Sequence, residues 1–351
     1  MAWLVGDSFD FWSNLPNMGL PGTSWATVTT GTFSSSTRFG VGQSLASDGG
    51  GNINVVTKTF TNSTTVFINF AWMSTTAFTA GGTTQRAGFT LLESGTAQVS
   101  FAIRSGGDMV LTSSTLGAGS ILATSSAQTI ISASVWNQYQ VKIVISNTVG
   151  SVEVRLNGDT SPVWTATGLN TRNGTANSYC NSLRLGNAIA VNSQFDDFYI
   201  FNDQGAAPNN WEGDVRALQL MPVSDATVTW TPKTGVDNWA MVDELVNDGD
   251  TTYVSTDTPG HQDYYGVHTL TVSPFNIVAV QTKMITRMDD TGPHQVCFNV
   301  KSGTVVTPSS TLSVSSTYTW IELVNSTDPN TGSAWTPTAV NTCQIGPLDV
   351  L

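Results

Sequence analysis

The side chains able to do chemistry in this 351-residue chain gather in one long loop. DELVNDGDTTYVSTDTPGHQD, residues 243–263, sets six acidic residues (Asp243, Glu244, Asp248, Asp250, Asp257 and Asp263) beside Tyr253 and His261. An aromatic ring next to carboxylates can stack on a sugar while the carboxylates accept its hydroxyl protons. Long ordered loops on β scaffolds often carry contacts. Tyr253, His261, Asp248, Asp250 and Asp257 are therefore the candidate contact residues, for a glycan or for a neighbouring subunit. Trp211, Trp239, Tyr264 and Tyr265 could also stack on sugars, although aromatic residues mostly fill cores and interfaces.

Other chemistries find less support. Asn247-Asp248-Gly249-Asp250 looks like part of a calcium loop, but Val246 occupies a ligand position of that pattern, so an acidic turn is expected. The three histidines, His261, His268 and His294, lack metal-ligand spacing, and His268 in an apolar run reads as structural. Cys180, Cys297 and Cys343 are far apart and read as buried free thiols, with a Cys297–Cys343 bridge left open. No Gly-x-Ser-x-Gly elbow occurs. No metal and no cofactor is expected.

Composition narrows the function classes further. Charged residues make up only 11% of the chain against roughly 25% in an ordinary soluble protein. Ser, Thr, Asn and Gly take their place, which suits strands with a neutral, hydroxyl-rich surface. The net charge of −12 and 13 scattered basic residues do not supply the cation clusters that nucleic acid requires. MAWLVGDSFDFW is not a secretory signal, and no apolar run is long enough to span a membrane as a helix. Synthesis and assembly in a cytoplasm are expected. The Asn-x-Ser/Thr triplets at Asn62, Asn173 and Asn325 carry little weight in so hydroxyl-rich a chain.

The elements that must position these groups are strands. From Trp136, Tyr139, Val141, Ile143 and Ile145 alternate with Gln138, Gln140 and Lys142. After a turn at 147–150, Val152, Val154 and Leu156 alternate with Ser151, Glu153 and Arg155, and Asn157-Gly158 closes the run. Period two marks a hairpin with one buried face. Thr65–Met73 is apolar on both faces and predicts a central strand. Further short strands are predicted at 27–34, 37–46, 52–60, 88–92, 98–103, 109–112 and 121–123, the pattern of a sandwich or barrel. Only 211–220 and 335–341 could hold a helical turn, the latter with Pro337 at its first position. A boundary is expected within Asn202–Asn210. Beyond it, strands are predicted at 214–221, 226–230, 264–272, 275–287, 294–301, 317–325 and 343–350.

The same hairpin, with Leu183-Arg184-Leu185-Gly186 and Phe195-Asp196-Asp197-Phe198 after it and RFGVGQSL at Arg38–Leu45 before it, resembles the laminin-G or concanavalin-A-like jelly roll. The resemblance implies an all-β fold: a concanavalin-A-like jelly-roll sandwich over 1–203 and a smaller β-sandwich module over 204–351. Asp196-Asp197 resembles the acidic pair before the last strand of such modules, read as a calcium or glycan rim or, preferably, as loop hydrogen bonding. Glucanases of this fold carry Glu-x-Asp-x-x-Glu. Here Glu212 and Asp214 begin the pattern, but Ala217 stands at its third position.

The whole chain resembles two-part virion proteins of tailed bacteriophages. That resemblance implies a non-enzymatic structural protein on the exterior of a phage particle, as tail fibre, spike or capsid decoration. Its partners would be other virion proteins, copies of itself in a symmetric assembly such as a trimer, and a host-surface glycan. The alternative is a carbohydrate-binding module or an enzyme acting on cell-surface polysaccharide.

Overall fold

The computed structural model describes residues 3–48, 50–187, 189, 191–205, 209–271 and 276–351. They form two compact units: Met1–Gly19 with Ser24–Ala217, and Leu20–Thr23 with Leu218–Leu351.

The first unit is a concanavalin-A-like jelly-roll sandwich of two antiparallel sheets. The eight-stranded sheet runs Trp164–Leu169, Gly150–Leu156, Asn137–Val144, Thr65–Ser74, Ser193–Asn202, Ser44–Ala46, Thr32–Ser34, and Trp3–Asp7 pairs with Ser193–Asn202 as well. The seven-stranded sheet runs Ile121–Thr124, Met109–Thr112, Thr96–Arg104, Gln85–Glu93, Ser182–Asn187, Asn54–Thr57, Trp25–Thr30. The predicted hairpin forms in the expected register, with Tyr139 opposite Leu156 and Ile143 opposite Val152. Ile143, Ile145, Val154 and Leu156 are all buried. Phe70, Phe89, Phe101, Tyr139 and Phe195 fill the space between the sheets, with Phe70 stacked on Tyr139 at 5.1 Å.

Several predicted strands are shorter or broken. The run 27–34 splits at Gly31 into Trp25–Thr30 and Thr32–Ser34, and 37–46 contracts to Ser44–Ala46. Gly31 has φ +140, which ends regular pairing there. A short helix, Leu15–Met18, forms where none was predicted, capped by Asn14, whose side chain accepts from the Asn17 N–H. Asp7 anchors this opening segment. It is buried and accepts hydrogen bonds from the indoles of Trp12 (2.9 Å) and Trp25 (2.7 Å).

The second unit is the smaller β module. Its six-stranded sheet runs Pro222–Thr227, Tyr264–Val267, Gln344–Asp349, Gln295–Ser302, Val305–Pro308, and Leu312–Ser313 pairs with Gln295–Ser302. Two-stranded pairs form between Val280–Thr286 and Thr319–Asn325 and between Thr231–Pro232 and Val254–Ser255. Val267, Val296, Phe298, Val300, Ile321, Trp335 and Val340 make the core. Pro337–Thr342 is helical, with Pro337 in the first turn and Thr336 as N-cap accepting from the Ala339 N–H. The Trp320 N–H donates to the Pro21 carbonyl at 2.8 Å, which fastens Leu20–Thr23 to this unit.

The predicted strand 214–221 and helical turn 211–220 are both absent: 211–221 holds no regular structure until the strand begins at Pro222. The predicted strands 264–272 and 275–287 each end on residues outside those described, as does part of the expected boundary 202–210. What is described of them is Tyr264–Val267 and Val280–Thr286. Cys180, Cys297 and Cys343 are free and buried, so the Cys297–Cys343 bridge is not formed. Among the described residues no helix is long and apolar enough to cross a membrane.

Candidate functional site

The loop 243–263 is built into the second unit at both ends. Asp225 receives the backbone N–H groups of Asn238 (2.9 Å) and Trp239 (2.8 Å). At the far end Asp263 is fully buried. Its Oδ1 accepts from the N–H groups of Thr229 (2.6 Å) and Trp230 (2.9 Å), and its Oδ2 from Asn238 Nδ2 (2.7 Å) and the Tyr265 hydroxyl (2.6 Å). Between these anchors Val254–Ser255 pairs with Thr231–Pro232.

Two of the five candidate residues, Asp250 and Tyr253, come together. Asp250 Oδ1 accepts from Arg287 Nε (3.1 Å), Arg287 Nη2 (2.9 Å) and the Tyr318 hydroxyl (2.5 Å). The Tyr318 hydrogen bond and the Arg287 guanidinium hold the Asp250 carboxyl below the usual carboxylate range. Burial and the hydrogen bond to Asp250 push the Tyr318 phenol up. Lys233 joins the two candidates: its ammonium donates to the Asp250 carbonyl and lies 5.2 Å from the centre of the Tyr253 ring. Arg287 stands 5.5 Å from the centre of the Tyr318 ring. Tyr253 and Tyr318 are half-buried, and the Asp250 side chain is 59% exposed.

The other three candidates do local structural work. Asp248 closes its own turn through the Thr252 hydroxyl at 2.9 Å, as an acidic turn should. Asp257 accepts from the Thr258 hydroxyl at 3.1 Å. His261 Nδ1 shares a hydrogen with the Thr256 hydroxyl at 2.8 Å, and its carbonyl receives Trp230 Nε1 and the Asp349 N–H. Of the further aromatic candidates, Tyr265 is a core residue, Tyr264 lies under the Lys301 ammonium, and Trp211 packs edge-on against Phe67.

Lys233, Arg287 and Tyr318 were missed by the sequence reading. Arg287 and Tyr318 meet because Thr286 pairs with Thr319, so the two residues flank the end of one strand pair. That register is a long-range fact with no local signal.

A second polar cluster lies in the first unit, at Asp196 and Asp197. The pairing of Ser193–Asn202 with Thr65–Ser74 slips between Asp196 and Tyr199, and Asp197 adopts φ +48. Across this bulge Phe195 and Phe198 are both buried in the core, and the two successive carboxylates between them are buried as well. Asp196 accepts the N–H groups of Arg38 (3.0 Å) and Asp197 (2.9 Å). Asp197 accepts the Ala217 N–H (3.0 Å) and faces Arg38 Nη1 (3.4 Å), while Arg38 Nη2 reaches Asp214 at 2.5 Å. Burial, and the charge of Asp197, push Asp196 up to about 8. Burial lifts Asp197 as well, against the pull of the Ala217 N–H and Arg38. Asp10, whose Oδ1 accepts the Gln43 N–H, is raised by burial to about 6. Loop hydrogen bonding accounts for the acidic pair. Among the described residues no group of three or more His, Cys, Asp or Glu side chains is disposed to hold a metal.

No protein-family model matches the chain, and no curated protein matches it. Solved structures do. The catalytic domain of a glycoside hydrolase family 131 protein from Coprinopsis cinerea is 11% identical, with 59% of this chain and 99% of that one covered at a TM-score of 0.34. An endo-1,3-β-glucanase from Streptomyces sioyaensis is 11% identical, with 57% and 95% covered at 0.36. Lectin I from Ulex europaeus, solved with the methyl glycoside of α-L-fucose, is 9% identical, with 56% and 97% covered at 0.36. The expectation that the protein is not an enzyme is corrected here: catalytic domains of glycoside hydrolases stand among these neighbours beside lectins. None of the neighbours named here is a bacteriophage protein.

Proposed function

We propose that the protein binds carbohydrate through the surface built on Asp250. The observation that carries this reading is one exposed carboxylate that fixes a tyrosine and an arginine before any ligand arrives, with a lysine held by the same residue's carbonyl. Tyr318 and Arg287 share Asp250 Oδ1, and Lys233 ties the Asp250 carbonyl to the Tyr253 ring. Two phenol rings offer flat apolar area for the C–H face of a pyranose. Among the described residues no hydrogen bond uses Asp250 Oδ2, which leaves an acceptor for sugar hydroxyls, while Arg287 and Lys233 carry donors. Groups already held in place lose little freedom on binding. The net charge of −12 repels polyanions at long range, so the ligand class is a neutral polysaccharide.

The test is affinity electrophoresis of the intact protein in gels containing dextran, laminarin or galactomannan, with polygalacturonate as the acidic control. Retention by a neutral polymer that Asp250→Ala, Tyr253→Ala and Tyr318→Ala each weaken at least tenfold is the expected result. Retention by none of the polymers overturns the reading. If the variants instead alter the sedimentation of the protein, the surface is a subunit interface. Placement on a bacteriophage particle and a symmetric oligomer rest on sequence resemblance alone, and mass spectrometry of purified particles tests the first.

A further inference from the structure

The outer face of the eight-stranded sheet carries a polar patch that alternation alone would leave in water. Asn69, Gln138 and Gln140 point away from the core, since their neighbours Phe70 and Tyr139 point into it. Gln140 stands opposite Asn69, and Gln138 opposite Ala71. All three amides are nevertheless buried, with 2%, 1% and 1% exposure. Gln138 and Gln140 are covered by an irregular segment, residues 209–217. Gly213 donates its N–H to Gln140 Oε1 (3.0 Å) and accepts from Gln138 Nε2 (3.3 Å). Trp211 packs edge-on against Phe67 at 5.3 Å, beneath the Arg155 guanidinium at 4.1 Å. Asp214 and Ala217 fasten the segment to Arg38 and Asp197.

The cover fits this face poorly. Among the described residues, Asn69 Oδ1 and Gln138 Oε1 are buried without a hydrogen-bond partner, as is Arg216 Nε in the segment itself. Buried polar atoms are nearly always paired, and each unpaired one opposes burial. A hydroxyl-rich chain supplies what is missing. A vicinal diol donates to one amide oxygen and accepts from the next amide nitrogen, as the Gly213 peptide does now, and has further hydroxyls for Asn69 Oδ1 and Gln138 Oε1.

We propose that residues 209–217 are an intramolecular stand-in for a saccharide, and that the face they cover binds a neutral polysaccharide once the segment lifts. The site is separate from the Asp250 surface. The tethered segment competes at high effective concentration, so it sets the saccharide level at which the face opens.

Hydrogen–deuterium exchange of the unaltered protein tests this directly, with and without dextran, laminarin or galactomannan. The amides of Gly213 and Ala217 should exchange at least threefold faster with one of the polymers. No acceleration with any of them overturns the proposal. In affinity electrophoresis, Trp211→Ala with Asp214→Ala should tighten retention at least fivefold, and adding Gln140→Ala should abolish the gain. A folded Trp211→Ala/Asp214→Ala protein that binds no more tightly than its parent also overturns it. Both measurements are repeated with Tyr253→Ala and Tyr318→Ala in place. A gain that persists there holds even if the Asp250 surface fails its own test, and a gain that vanishes there counts against this second site.

Discussion

Tyr265 donates its hydroxyl to Asp263 at 2.6 Å, and that bond lies wholly inside the second unit. The same carboxylate serves two backbone N–H groups and the Asn238 amide. Asp263→Ala removes four acceptor contacts at once and leaves the buried Asn238 amide and Tyr265 hydroxyl without their acceptor. The expected loss is at least about 3 kcal/mol, read from urea unfolding followed by tryptophan fluorescence. Asp263→Asn retains one acceptor oxygen and should cost less. Equal stability of the alanine variant and the parent would show that water takes over these donors.

Ile143 tests the hairpin register. Its side chain is fully buried, opposite Val152 on one neighbouring strand and Val66 on the other. Ile143→Asp puts an unpaired carboxylate there, at a cost of several kcal/mol. Lys142→Asp, on the opposite face, should change the melting temperature far less.

The carboxylate pair predicts a pH dependence with a definite sign. Asp196 is raised to about 8, and Asp10 to about 6, from an ordinary value of 3.8. A raised carboxyl binds its proton more tightly in the folded state. Its contribution is therefore full below about pH 4 and is lost as pH rises, through about 6 for Asp10 and about 8 for Asp196. Asp196→Asn is neutral throughout and should flatten the fall. At pH 8.5 the variant should melt about 2–4 °C above its parent. A parent whose melting temperature does not fall between pH 5 and 8.5 contradicts this account.

Thiol chemistry gives a fourth, independent check. All three cysteines are buried, and burial pushes Cys180 up to about 12 and Cys343 up to about 11. Thiolate is the reactive form, so a chromogenic disulfide reagent should label none of them at pH 7.5 in the folded protein. All three should react in denaturant. A native reaction at Cys343 would mean that its surroundings open.

Where periodicity spoke, the fold was legible. Tyr139 to Ile145 and Val152 to Leu156 alternate, and both strands and their register follow. Pro337 after Thr336 marked a helix start because its missing N–H suits a first position, and the structure adds Thr336 as the cap. Gln138 and Gln140 show the limit. Alternation placed them outward correctly, yet could not show that residues 211–217 would lie across them, because that contact spans more than seventy residues and has no local code. The site divides in the same way. Asp250 and Tyr253 were visible as loop residues of the right chemistry, whereas Lys233, Arg287 and Tyr318 reach them only through tertiary pairing.

Among the described residues Trp3–Asp7 pairs with Ser193–Asn202 alone, with Trp3 set against Phe201. Synthesis on a ribosome runs from the first residue to the last, so the opening strand must wait while nearly the whole first unit emerges. Until then the edge meant for it stays unpaired, and contacts of such long sequence separation close slowly. Folding of this unit should thus be a late, all-at-once event in translation, and a nascent chain stalled before Ser193 should be sensitive to protease.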